Sequence, residues 1–267
     1  MKKYFIFGGC SFTAMPNSWA RQLTHRINPD VCYIAAHAGG GNTIIANSVI
    51  DAAWKAIINK KTPDITIMWS HPSRYDIPIN KEETPHYSKI FLRNKQDRND
   101  FNPAVYDRFN YWLLGCGNGH IDFTRSGTKA VNTEYVNAFK EHHKMFWNST
   151  TQWLNTLQAI LLIQSLCDAN NWSYRFLVYN NFMKHYIKQS DHIVAISKMI
   201  KWDKFTFTDD EYGGLREYTL SHLNTWDDGY DMHPSHEAHY DFLDNFFLPK
   251  FMNEYYTNSN ALHPKFI

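Results

Sequence analysis

Three short apolar runs, each closed by a turn and separated by a stretch of helical periodicity, leave this chain few ways to fold. The first is Tyr4-Phe5-Ile6-Phe7, followed at once by Gly8-Gly9-Cys10-Ser11. The second is Val31-Cys32-Tyr33-Ile34-Ala35-Ala36, closed by His37-Ala38-Gly39-Gly40-Gly41-Asn42. The third is Ile65-Thr66-Ile67-Met68-Trp69, opened by Pro63-Asp64. Short runs that are apolar on both faces suit strands buried between layers of helix. Between the first two, Asn17-Ser18 can cap a helix reaching to Arg26. Between the second and third, Ile45, Val49, Ala52, Ala53, Ala56 and Ile57 fall near helical spacing over 43–59. Strand, helix, strand, helix, strand with short connections is the pattern of a parallel sheet with crossover helices. The expectation is an α/β fold: a three-layer, flavodoxin-like parallel sheet of about five strands.

The regularity stops after the third run. Residues 72–127 are polar and dotted with proline and charge, and they include Gly115-Cys116-Gly117-Asn118-Gly119. A stretch this long without clear periodicity is usually an insertion or a functional loop. The reading is one α/β domain over 1–267, with 72–150 as a helical or irregular cap insertion at the carboxyl edge of the sheet. Helical periodicity returns over 133–169, a fourth strand is expected at 174–178, and short helices fill 182–201. Phe205, Thr206 and Phe207 suit a brief extra strand. A last amphipathic helix is expected over 235–255, with Pro249 kinking or splitting it.

Bulk properties exclude several classes. The net charge of +1 gives no basic field for nucleic acid. No run approaches the roughly 20 apolar residues of a membrane span. The first run, at 4–7, falls short of the roughly 7–15 residues in the core of a secretory leader, so it is read as a strand. Cys10, Cys32, Cys116 and Cys167 show no metal-ligand spacing and suit free thiols in a reducing compartment. The expected location is therefore cytoplasmic. Aromatic residues reach 16%, which points to an aromatic core or to a groove for a flat or sugar-like ligand.

Chemistry concentrates at the two ends of the chain. A serine on the tight turn after a first strand presents its hydroxyl above the carboxyl edge of the sheet. Far away lies Asp231-Met232-His233-Pro234-Ser235, an acid and a base just before the last helix. Serine, histidine and aspartate are the parts of an acyl-transfer machine. Cys10 beside Ser11 is an alternative nucleophile, but on a strand exit it is expected to point into the core. The glycine turn lacks the Gly-x-Gly-x-x-Gly spacing and lysine of nucleotide loops.

Gly9-Cys10-Ser11-Phe12-Thr13 resembles the first block of the SGNH/GDSL hydrolases, whose common form is Gly-Asp-Ser-x-(Thr/Ser). Gly39-Gly40-Gly41-Asn42 resembles their second block, and 231–235 their last. Order and placement on the elements both match. The chain departs from the family at the third block, usually Gly-x-Asn-Asp, where Trp69-Ser70-His71-Pro72-Ser73-Arg74 stands. It also sets acid and histidine two residues apart instead of three. Both departures are similar to variants of the family, some of them phage-encoded, which would make the setting a virion.

The resemblance implies a serine esterase or acylhydrolase with Ser11 as nucleophile, His233 as base and Asp231 as orienting acid. Asp227 and Asp228 are back-up acids. The oxyanion would be held by the backbone amides of Ser11 and Gly39. Asn42 or His71 would stand in for the missing asparagine, with Ser70 a further candidate. Trp69, Ser70 and Arg74 are the candidate contacts for a small acyl ester or an acetylated carbohydrate, with Trp69 read at the floor of the site or in the core and Arg74 as either an anchor for a substrate carboxylate or half of a structural ion pair. No metal or organic cofactor is implied. Two other readings stand beside it. One is an SGNH-like structural or glycan-binding module of a larger assembly. The other is a metal-dependent hydrolase built on His233, His236 and His239, whose spacing is one residue short of the zincin pattern.

Overall fold

A computed structural model describes residues 4–37, 39–79, 111–115, 141–142, 144–185, 190–209, 211–223 and 233–251. The strands are β1 (Tyr4–Gly9), β2 (Val31–Ala36), β3 (Pro63–Trp69), β4 (Tyr75–Ile79), β5 (Tyr111–Gly115) and β6 (Ser173–Val178). The helices are α1 (Ser11–Ala14), α2 (Trp19–Ile27), α3 (Asn42–Ile58), α4 (Ser149–Ala169), α5 (Asp191–Ser197), α6 (Leu215–Leu223) and α7 (His236–Asp241). The main sheet runs β2-β1-β3-β6 and every pairing in it is parallel.

Strand alternation separates the two faces of this sheet. Phe5 and Phe7 point to one side, where Phe7 meets Trp19 of α2 and Phe5 meets Phe251. Tyr4 points to the other and bonds the Ala52 carbonyl of α3 through its hydroxyl. A Cβ on Gly8, on this second face, would strike Val49 of α3. Helices therefore cover both faces, and α4 packs beside α3 on the second. Trp19, Trp69 and Trp153 are all fully buried, so much of the aromatic surplus goes into the core.

The sheet has four strands among the described residues, against the five expected. Phe205 contributes only an isolated parallel bridge to Phe176, and Thr206 N–H donates to the Phe176 carbonyl. The chain is bent on both sides of that bridge, by the 3₁₀ turn Trp202–Lys204 and by a turn in which Asp209 accepts N–H bonds from Glu211 and Gly213. That leaves no extended length to pair.

Most of the expected cap falls outside the described residues. Its described part includes β4 and β5, which pair antiparallel. The last helix also differs from a simple kink. After α7 the backbone widens into a π segment, Phe242–Phe247, before Pro249. Proline has no N–H to return to residue 245, so the turn before it loses the bond that would hold α register. Arg26 of α2 pairs with Asp244 of this segment.

The exit from β1 is crowded. At Gly9 a Cβ would lie 2.7 Å from Thr13 Cβ and 3.2 Å from the Met68 carbonyl. Thr13 is fully buried and has nowhere to retreat. Gly9→Ala is expected to destabilise the protein by about 1–3 kcal/mol, read as a lower urea midpoint. A midpoint equal to wild type would show that the turn has slack.

Candidate active site

Ser11 opens α1, two residues beyond the end of β1, with Cys10 between them as an extended N-cap residue. Cys10 itself is wholly buried, as expected of a core thiol. The Ser11 side chain turns to the far end of the chain: its Oγ lies 2.7 Å from Nε2 of His233. The residues are 222 positions apart. His233 is half-buried, and its ring sits 5.0 Å from that of Phe12. Asp231, expected as the orienting acid, lies outside the described residues, as do Asp227 and Asp228.

The glycine turn closes over the same edge. His37 N–H donates to the Gly9 carbonyl at 3.1 Å, extending the β1–β2 pairing by one bond. The turn reverses through Gly39, whose φ of 79° is a left-handed conformation that favours glycine. Among the described residues, neither the Ser11 nor the Gly39 backbone N–H has a hydrogen-bond partner. Two unspent amides at the ends of neighbouring strands are the raw material of an oxyanion hole.

Several expected contacts have other roles. Asn42 was expected as an oxyanion donor, but its side-chain nitrogen donates to the Ser70 carbonyl and to Thr156 Oγ1, both at 2.9 Å. Its oxygen accepts the Ser70 N–H at 2.8 Å. With both amide hydrogens committed, Asn42 braces the loop after β3 against α4. Ser70 was expected to touch substrate and Trp69 to lie at the floor of the site or in the core, and both are fully buried. Trp69 packs edge-on against Phe176 in the core. These two residues support the wall of the site from behind.

His71 and Arg74 stay at the edge. Nδ1 of His71 accepts the Ser73 N–H at 3.1 Å. A backbone N–H can only donate, so the ring hydrogen of neutral His71 is on Nε2. Burial, with help from the Arg74 charge, pushes its pKa down to about 4, so the ring is neutral at ordinary pH. Arg74 donates to the Gly40 carbonyl at 3.3 Å, and its guanidinium lies 6.0 Å from the Phe12 ring.

Three groups that the motifs did not flag complete the edge. Tyr179, just past β6, stacks on Phe12 at 4.9 Å. Burial pushes its hydroxyl up to about 12, which keeps it protonated. Thr156 anchors Asn42 from α4. Asp76 of β4 is buried and accepts the N–H of Gly41 at 2.6 Å and of Ile44 at 2.9 Å. Burial pushes its pKa up to about 6, against the pull of these amide bonds and of Arg74. No local sequence signal marks these residues, because their partners are tens of positions away.

The histidines proposed for a metal sit in different surroundings. His236 is exposed, whereas His239 is buried with both ring nitrogens unpartnered. Burial, with a smaller contribution from His233 and His236, lowers the pKa of His239 to about 3, so its ring remains neutral. Among the described residues no group of three His, Cys, Asp or Glu side chains is placed to hold a metal. No helix of the described residues is long and apolar enough to cross a membrane.

In comparisons with known proteins, no family model, no curated protein and no solved structure matches this chain.

Proposed function

We propose that this chain is a serine-dependent ester hydrolase of the SGNH type. The single observation behind this reading is the 2.7 Å contact between Ser11 Oγ and His233 Nε2. A serine hydroxyl is a poor nucleophile because its proton has nowhere to go. His233 takes that proton as Ser11 attacks the acyl carbon, forming a tetrahedral intermediate. It then returns the proton to the leaving alcohol. Water next attacks the acyl-enzyme, with His233 again accepting the proton and passing it back to Ser11. The Ser11 and Gly39 amides receive the developing negative charge. The substrate is a small acyl ester, with an O-acetylated carbohydrate the leading class. Asp231 is the orienting acid in this scheme.

The test is covalent. A fluorophosphonate probe is expected to label the folded wild-type protein at Ser11, located by peptide mass, and to leave heat-denatured protein unlabelled. No label on the folded chain would favour the binding-module reading instead.

A further inference from the structure

The glycine turn is held by a carboxylate that no motif assigns. We propose that Asp76 is a positioning residue for acyl transfer: by gripping the amides of Gly41 and Ile44 it fixes the Gly39–Gly41 turn, and with it the Gly39 N–H that meets the oxyanion. The proposal rests on the ester-hydrolase reading above.

The opening amides of a helix have no intrahelical partner. In α3 the N-cap residue is Gly41, which has no side chain to offer them. Asp76 supplies both of its oxygens from 35 and 32 residues away, Oδ1 to Gly41 N–H at 2.6 Å and Oδ2 to Ile44 N–H at 2.9 Å. Charge-assisted bonds of this length are the strong ones. The fit leaves no slack. A Cβ on Gly41 would lie 2.8 Å from each Asp76 oxygen and 2.8 Å from the Arg74 carbonyl. A Cβ on Gly40 would lie 2.9 Å from Ile44 and 3.1 Å from the His37 carbonyl.

Three consecutive glycines form the most pliable turn a chain can make. An oxyanion donor works only if it is aimed before the charge appears. Upstream, the turn is pinned by the bond from His37 N–H to the Gly9 carbonyl. Downstream, Asp76 grips it through two short bonds, beside a longer one from Arg74 to the Gly40 carbonyl. Gly39 lies between the two. Asp76 also occupies the positive end of α3, so the Gly41 and Ile44 amides are not available to the reacting ester, and the burden falls on Gly39 together with Ser11.

Asp76→Asn tests this. The amide keeps one acceptor but turns an NH₂ donor toward a backbone N–H donor. The expected result with p-nitrophenyl acetate is a kcat lower by about tenfold to a hundredfold, with KM within about twofold, because a mis-aimed donor harms the transition state more than the ground state. Hydrogen exchange at the Gly41 and Ile44 amides should accelerate at least tenfold in the same variant. A merely structural loss would lower thermal stability without this split between kcat and KM. Asp76→Glu, which keeps the charge but shifts the oxygens by one methylene, should lose kcat in the same way and serves if the asparagine variant does not fold. An unchanged kcat in a folded Asp76 variant, beside an active wild type, overturns the role of Asp76 alone. A wild-type protein without Ser11-dependent hydrolysis overturns the enzymatic reading and this one with it.

Discussion

Replacing Ser11 or His233 by alanine is expected to lower the hydrolysis of p-nitrophenyl acetate by roughly a thousandfold or more, and the double variant should be no worse than either single one. The reason is that the pair acts as one unit. Without the imidazole, the Ser11 proton has no acceptor, and without the hydroxyl the imidazole has no nucleophile to activate. What survives is the contribution of the oxyanion donors and of binding, which neither substitution touches. Under the proposed mechanism, the 2.7 Å contact leads to this non-additivity. The measurement is steady-state kinetics on four purified proteins with matched circular dichroism. Losses that multiply in the double variant would mean that Ser11 and His233 work independently. Activity retained in Ser11→Ala would remove the nucleophile from the scheme.

The second large effect concerns the opposite end of the sheet. Asp64→Ala is expected to destabilise the protein by about 3–5 kcal/mol. Arg175 of β6 donates to Asp64 of β3 at 2.8 Å and to Thr66 Oγ1 at 3.2 Å, and its side chain is only 6% exposed. Its guanidinium also lies 4.5 Å from the Phe251 ring. Taking Asp64 away strips a nearly buried guanidinium of its 2.8 Å carboxylate contact, and losing that charge-assisted pairing supplies most of the loss. Replacing both partners together, as Asp64→Val with Arg175→Met, should therefore cost much less than Asp64→Ala alone. Urea denaturation of the three proteins is the check. A single variant within about 1 kcal/mol of wild type would show that water or Phe251 already satisfies the arginine.

How far the fold could be read depended on how local its causes are. β1, β2, α3 and β3 follow from runs and periodicities within a few residues, and the structure has each within one or two positions of its expected bounds. Ser18 caps α2 as the sequence implied, its hydroxyl accepting the Arg21 N–H. The meeting of Ser11 and His233 was legible because both sit at marked element boundaries. Asp76 was not, because nothing around Tyr75-Asp76-Ile77 says that its carboxylate will find a helix terminus 35 residues back. Asn42 was misjudged for the same reason: its partners, Ser70 and Thr156, lie 28 and 114 positions away. Phe205 had the composition of a strand, but the turns that bend the chain on either side of it kept it from becoming one. The π segment before Pro249 reflects a missing donor whose effect on register the proline alone does not specify.

The span of 222 residues between hydroxyl and imidazole carries a consequence for biosynthesis. At translation speeds of about 5–20 residues per second, some 10–45 s separate the emergence of the two groups from the ribosome. During that interval the serine is an ordinary alcohol. On the proposed mechanism, reactivity switches on only when the end of the nascent polypeptide docks beside its beginning, and a product truncated before position 233 is expected to be chemically silent.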